Sequence, residues 1–258
     1  MLLLFTLIGC EYLPDPNDVQ DTLDGLTNPL VVQGIVLGVA EPESDQIDLS
    51  GTDFAQGTAV TIFAADAASV SEIENAPVTG ADASFKIGQQ AAVTLEAGAA
   101  PGAYKAVGDG LEYVAGALGE LSFAVGDGAS GAQVTLPPAV DVLLPPQHDG
   151  SDLTVDLSEQ SYDQVLVVVF DLSTQEITYS NEPKDIAELY EYSTAEGAGD
   201  SVVIPGAEAF PGESIYAVGI AGMVKGDSSS FSSMNTALSS LQAGQLVFQP
   251  VSTMPFEN

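Results

Sequence analysis

Phe210-Pro211-Gly212-Glu213-Ser214-Ile215-Tyr216-Ala217-Val218-Gly219-Ile220 places a chain reversal directly before a strand. Pro211 presets its own φ and Gly212 tolerates backbone angles closed to other residues, which is turn chemistry. Beyond the turn, Tyr216, Val218 and Ile220 fall two apart, the period of a strand with a buried face. The neighbouring sequence repeats this grammar. Residues 153–157 alternate, and residues 163–170 contain a long apolar run suited to the centre of a sandwich. A turn and residues 176–179 follow, then residues 202–205, and residues 245–248 are placed to close the sheet.

The first half reads the same way with weaker periodicity. Residues 30–37 and 59–63 are apolar runs, and residues 82–87 and 121–125 alternate cleanly. Residues 72–75 and 185–192 are the expected helical turns. Many short strands separated by Gly, Pro, Asp and Ser predict an all-β chain built of β-sandwiches. Paired prolines at Pro137-Pro138 and Pro145-Pro146 cannot serve inside a central strand. They set the expected boundary between two tandem antiparallel sandwich domains, residues 30–136 and 137–258.

Composition narrows the functional classes. The chain has 258 residues, 45% of them hydrophobic, with 37 Asp+Glu against 4 Lys+Arg and a net charge of -33. That apolar content is globular, so the charge does not imply disorder. The four bases are Lys86, Lys105, Lys184 and Lys225. Such a chain repels phosphate backbones and lacks any polybasic patch, which argues against nucleic-acid binding. Carboxylates spread over loops as a solubilising surface are expected rather than specific metal sites.

The amino terminus, residues 1–10, is an apolar run ending Leu7-Ile8-Gly9-Cys10. It resembles a bacterial lipobox: an aliphatic residue, a variable one, a small one, then the acylated cysteine. The resemblance implies cleavage between Gly9 and Cys10, a signal peptide over residues 1–9, and diacylglycerol on Cys10. It further implies a cell-envelope location, at the outer membrane or cell surface in preference to the inner membrane. A secretory signal carries a positive n-region and spans about 15–30 residues. This one is short and has no Lys or Arg, so the expected true start lies upstream. Cys10 is the one cysteine, and acylation would leave no thiol for disulfides, catalysis or metal. Residues 10–29 read as an acidic tether, punctuated by Pro14, Pro16 and Gly25 and solvated by Asp15, Asp18, Asp21 and Asp24.

The stretch around Tyr216 resembles the E–F corner of a fibronectin type III or immunoglobulin-like domain. In that family a tyrosine hydroxyl bonds back to the backbone and fixes the corner. The resemblance covers roughly residues 140–251 and assigns Tyr216, with Pro211 and Gly212, to the corner. The family's usual core tryptophan is absent, since the chain contains none. In the first half, residues 76–85 followed by Pro101-Gly102-Ala103-Tyr104 resemble transthyretin-like or carboxypeptidase-regulatory-like modules. Ala83 stands where their glycine would be, so this resemblance implies the sandwich architecture alone.

Catalytic parts are scarce. His148 is the one histidine, sits in a proline-flanked turn where a surface position is expected, and has no G-x-S-x-G serine to serve. Gly226-Asp227-Ser228-Ser229 reads as a polar loop. Zinc lacks its ligands. Calcium through Gly108-Asp109-Gly110 or Gly126-Asp127-Gly128 is weighed against ordinary hairpin turns, which are preferred. The expectation is a non-enzyme without a cofactor, a lipid-anchored display module for adhesion, assembly or scaffolding whose partner is an envelope protein or glycan. A carbohydrate- or calcium-binding surface module is the alternative.

Overall fold

The computed structural model describes residues 28–255 except 43, 46, 50–53, 55–56, 108–109, 158–161, 196, 198 and 200. Gly9 and Cys10, and nearly all of the tether, lie outside the described residues. The fold is all-β. Its strands are β1 Leu30–Val39, β2 Gly57–Asp66, β3 Asp82–Ile87, β4 Val93–Thr94, β5 Glu96–Ala97, β6 Ala103–Val107, β7 Leu118–Val125 and β8 Gly128–Thr135. The second half supplies β9 Leu153–Asp156, β10 Gln164–Asp171, β11 Glu176–Ser180, β12 Ser201–Ile204, β13 Ile215–Lys225 and β14 Ser240–Ser252. Among the described residues, two α-helices interrupt them, α1 Ile186–Thr194 and α2 Gly206–Ala209. Asp185 caps α1 by accepting from the Glu188 N–H at 2.9 Å. The expected turn near residues 72–75 is a 3-10 helix, Val70–Asn75.

An eight-stranded sheet in the order β11-β10-β13-β14-β1-β2-β6-β5 carries the whole molecule. Smaller sheets, β4-β3-β7-β8 and β12-β9, pack on it. In the second half, the order β11-β10-β13-β14 against β12-β9 is the C′-C-F-G against E-B arrangement of an immunoglobulin-like sandwich. Val140 and Leu144, in the stretch before β9, join Val155, Val167, Ile204, Tyr216 and Val218 in its core. The first-half core lies between the large sheet and β4-β3-β7-β8, with Val36, Ile62, Phe85, Leu121, Phe123 and Leu136 wholly or nearly inaccessible. The Tyr113 ring lies on Gly38 of β1, where a Cβ would stand 2.3 Å from it.

One pairing departs from the antiparallel expectation. β14 is thirteen residues long. Its first part runs parallel to β1, Gln33 opposite Ser240 through Val39 opposite Leu246, and its other side pairs antiparallel with β13 between Gln242 and Ser252. The proline-rich passage between β8 and β9 therefore links two sandwiches that share one sheet. That sheet also has a second buried face. Ile35 and Leu37 of β1, Phe63 of β2, Leu166 and Phe170 of β10, and Phe248 of β14 form a third core. Ile47, Leu49 and Phe54 from the β1–β2 connection and Leu189 of α1 cover it. Being buried on both faces explains why β10 reads Gln-Val-Leu-Val-Val-Val-Phe-Asp with no alternation.

Candidate functional site

Tyr216 is fully buried at the start of β13. Its hydroxyl donates to the Gly212 carbonyl at 3.0 Å and accepts from the Gly212 N–H at 3.1 Å. Thr253 Oγ1 donates to the same carbonyl at 2.7 Å, tying the end of the chain to the corner. Burial raises the Tyr216 phenol above its ordinary pKa, so it stays protonated and able to donate.

His148 is less superficial than its proline-flanked turn suggests. Its side chain is 13% exposed and its ring meets Phe210 at 5.4 Å, and Phe210 in turn meets Tyr216 edge-on at 5.2 Å. Nε2 lies 2.8 Å from the Ser151 carbonyl, and the His148 N–H donates to Ser252 O at 2.9 Å. The correction has a packing cause: Gln147 forms a parallel bridge to Ser252, which draws this turn onto the sheet.

Asp171 is the buried carboxylate that sequence reading missed. It ends β10, and its Oδ1 accepts from Ser173 N–H and Oγ at 2.8 Å and from Ser214 Oγ at 2.7 Å. Burial alone would push its carboxyl up, but the hydroxyl and N–H donors outweigh that and hold it below the ordinary value. The available signal was Asp-Leu-Ser-Thr at a hairpin, the pattern of an Asx-turn. No histidine approaches this cluster to activate a serine, and Asp171 fastens the β10–β11 turn to the segment before β13.

Gly126 and Asp127 form the two-residue turn between β7 and β8, with Val125 opposite Gly128 and Gly126 at φ 57°. Residues 108 and 109 lie outside the described residues. Among the described residues, no three His, Asp or Glu side chains gather as a metal site. Asp227 caps a short 3-10 turn, and Ser230 reaches Gln133 of β8 with Oγ donating to its carbonyl at 3.1 Å. The polar loop at residues 226–229 thus leads into a contact between the two sandwiches.

Two open crevices have mixed polar and apolar linings. One, of about 760 Å³, is bounded by Glu41, Gln90, Glu112, Tyr113 and Gln245. Gln90 closes one wall, donating to Glu112 O at 2.8 Å and accepting from its N–H at 2.9 Å. The other, of about 740 Å³, is bounded by Phe63, Ala103 and Lys105 on one wall and Ile177, Tyr179 and Lys184 on the other. These walls come from β2 and β6 towards one end of the eight-stranded sheet and from β11 at the other, so the sheet curls enough to bring them to one crevice.

No known protein family matches the chain, and no curated protein resembles it in sequence. Among solved structures it is similar to the FN1–FN3 domains of chicken CNTN1, at 11% identity over 87% of this chain and 67% of that one, TM-score 0.24. It is also similar to a chimeric titin Z1Z2-Z1Z2 tandem functionalised with a GRGDS peptide from fibronectin. There the identity is 10% over 73% of this chain and 89% of that one, TM-score 0.20. The immunoglobulin-like assignment rests on this chain's own strand order and on the Tyr216 corner.

Proposed function

We propose that this chain is a non-catalytic lipoprotein of the bacterial cell envelope, displaying its β-sandwiches for adhesion, assembly or scaffolding. The Leu7-Ile8-Gly9-Cys10 stretch supports the anchor. About 0.8 kcal/mol per buried methylene makes two acyl chains sufficient for stable attachment. The observation that most supports a binding role is how the reactive groups are used. The one histidine packs against Phe210 and bonds to Ser151, and the buried Asp171–Ser173–Ser214 cluster is consumed in holding a hairpin. What is left for function is surface and crevice.

Metabolic labelling with palmitate, with fractionation of the envelope, tests the anchor. Wild-type protein is expected in the membrane fraction with a mature terminus at acylated Cys10, and Cys10→Ser is expected to be unlabelled and released. A mature protein that retains an unmodified Met1 terminus would overturn the reading.

A further inference from the structure

Beneath α1, the eight-stranded sheet presents a polar floor. On β1, Gln33 shares a face with Ile35 and Leu37, and on β14, Ser240 and Gln242 share one with Leu246 and Phe248. Register sets them side by side, Gln33 opposite Ser240 and Gln242 opposite Ile35. α1 packs on both strands, with Leu189 in the core of this face and Ile186 and Tyr190 against Val31 and Leu238. Gln33, Ser240 and Gln242 are 1%, 9% and 0% exposed. Gln33 Nε2 donates to the Leu238 carbonyl. Gln33 Oε1, Ser240 Oγ and both polar atoms of the Gln242 amide are buried without a hydrogen-bond partner. The Tyr192 hydroxyl of α1 is buried unpartnered as well. Buried side-chain polar atoms are nearly always bonded, and each one that is not carries its full desolvation penalty.

A cover over such a floor is weakly held, and α1 has few ties to the sheet. Leu189 is its one apolar side chain that is fully buried. Ser193 and Thr194 donate to the Tyr190 carbonyl, and Glu188 accepts from the Lys184 N–H, so these bonds stay within the helix and its cap. The flanking chain is better fixed. Before α1, Asn181 is clamped to β10: its Oδ1 accepts from the Val167 N–H at 2.7 Å and its Nδ2 donates to the Val165 carbonyl at 2.9 Å. After α1, Gln164 Nε2 donates to the Ala195 carbonyl at 3.0 Å. The sheet beside the floor is filled: a Cβ on Gly244, the next residue on this face of β14, would stand 2.3 Å from Met223 Sδ. That leaves little room for inserted solvent, whereas lifting the cover hydrates every unpartnered atom of the floor at once.

We propose that α1 is a hinged lid, lifting from the eight-stranded sheet about Asn181 while both sandwiches stay folded, with the Gln164–Ala195 bond as its latch. The lid rests on neither the lipid anchor nor the binding reading above. The test is amide hydrogen exchange on the full chain in detergent, read by mass spectrometry under conditions where exchange tracks the open population. Amides of residues 186–194 are expected to exchange about tenfold or more faster than those of β13 and β14. Gln242→Met keeps the length of the side chain and removes both unpartnered atoms, so it should slow exchange in α1 about tenfold or more. Gln164→Met removes the latch and should speed exchange in α1 about threefold or more, with β13 and β14 unchanged. Ser240→Ala removes one unpartnered hydroxyl with little loss of packing. It serves if Gln242→Met misfolds, and should slow exchange in α1 about threefold or more. Three results would overturn the proposal: protection of α1 equal to that of β13 and β14, exchange in α1 that Gln242→Met and Ser240→Ala leave unchanged, or loss of β13 and β14 protection together with that of α1.

Discussion

Tyr216 shows how one side chain can hold a corner of the fold. Its ring fills the second-half core against Phe210, and its hydroxyl spends both bonding capacities on Gly212, four residues back. Tyr216→Phe keeps the ring contact and removes both bonds. Gly212 is exposed, so water recovers part of the loss. The expected cost is about 1–2 kcal/mol, read as a lower midpoint in urea unfolding with an unchanged slope. An unchanged midpoint would mean that the corner is held by packing and Thr253 alone. The turn and strand could be read from Pro211, Gly212 and the alternation after them. The edge-on contact of His148 with Phe210 could not, because it depends on a bridge between Gln147 and Ser252, more than a hundred residues apart.

At the scale of elements, Asp171 couples the β10–β11 hairpin to the start of β13 through Ser173 and Ser214. Its folded pKa lies below the ordinary carboxylate value. The sign follows: the stabilisation is complete above the unfolded pKa, about 3.9, and is lost as pH falls through the depressed folded value. Asp171→Asn is expected to cost about 1–2 kcal/mol near neutral pH and to flatten the acid limb of stability below about pH 4. Chemical denaturation across that range reads both effects, and a parallel acid limb in the variant would refute the assignment. β3 and β9 were legible because their burial is one-sided, so they alternate in sequence as they do in exposure, while β1 and β10 were legible as apolar runs buried on both faces. β8, Gly-Ala-Ser-Gly-Ala-Gln-Val-Thr, was not, because its small residues carry little hydrophobic signal and its place depends on pairing with β7.

For the whole molecule, the net charge of -33 against four bases means that compaction crowds carboxylates together. Raising NaCl from about 0.01 M to 1 M shortens the screening length from about 30 Å to about 3 Å. The thermal midpoint is expected to rise with it, and a flat or falling midpoint would show that the acids sit too far apart to repel. The sequence by itself determined the all-β class, the positions of most strands, the turn chemistry at Pro211-Gly212 and the sign of the molecular surface. These follow from local period and composition, which each segment carries alone. Tertiary structure decided that β14 runs parallel to β1 and joins two sandwiches into one sheet, and that β2 and β6 come to share a crevice with distant β11, lined by Lys105 and Lys184. Those facts depend on pairing between segments some two hundred residues apart or on distant strands brought together, and short-range periodicity holds no record of them.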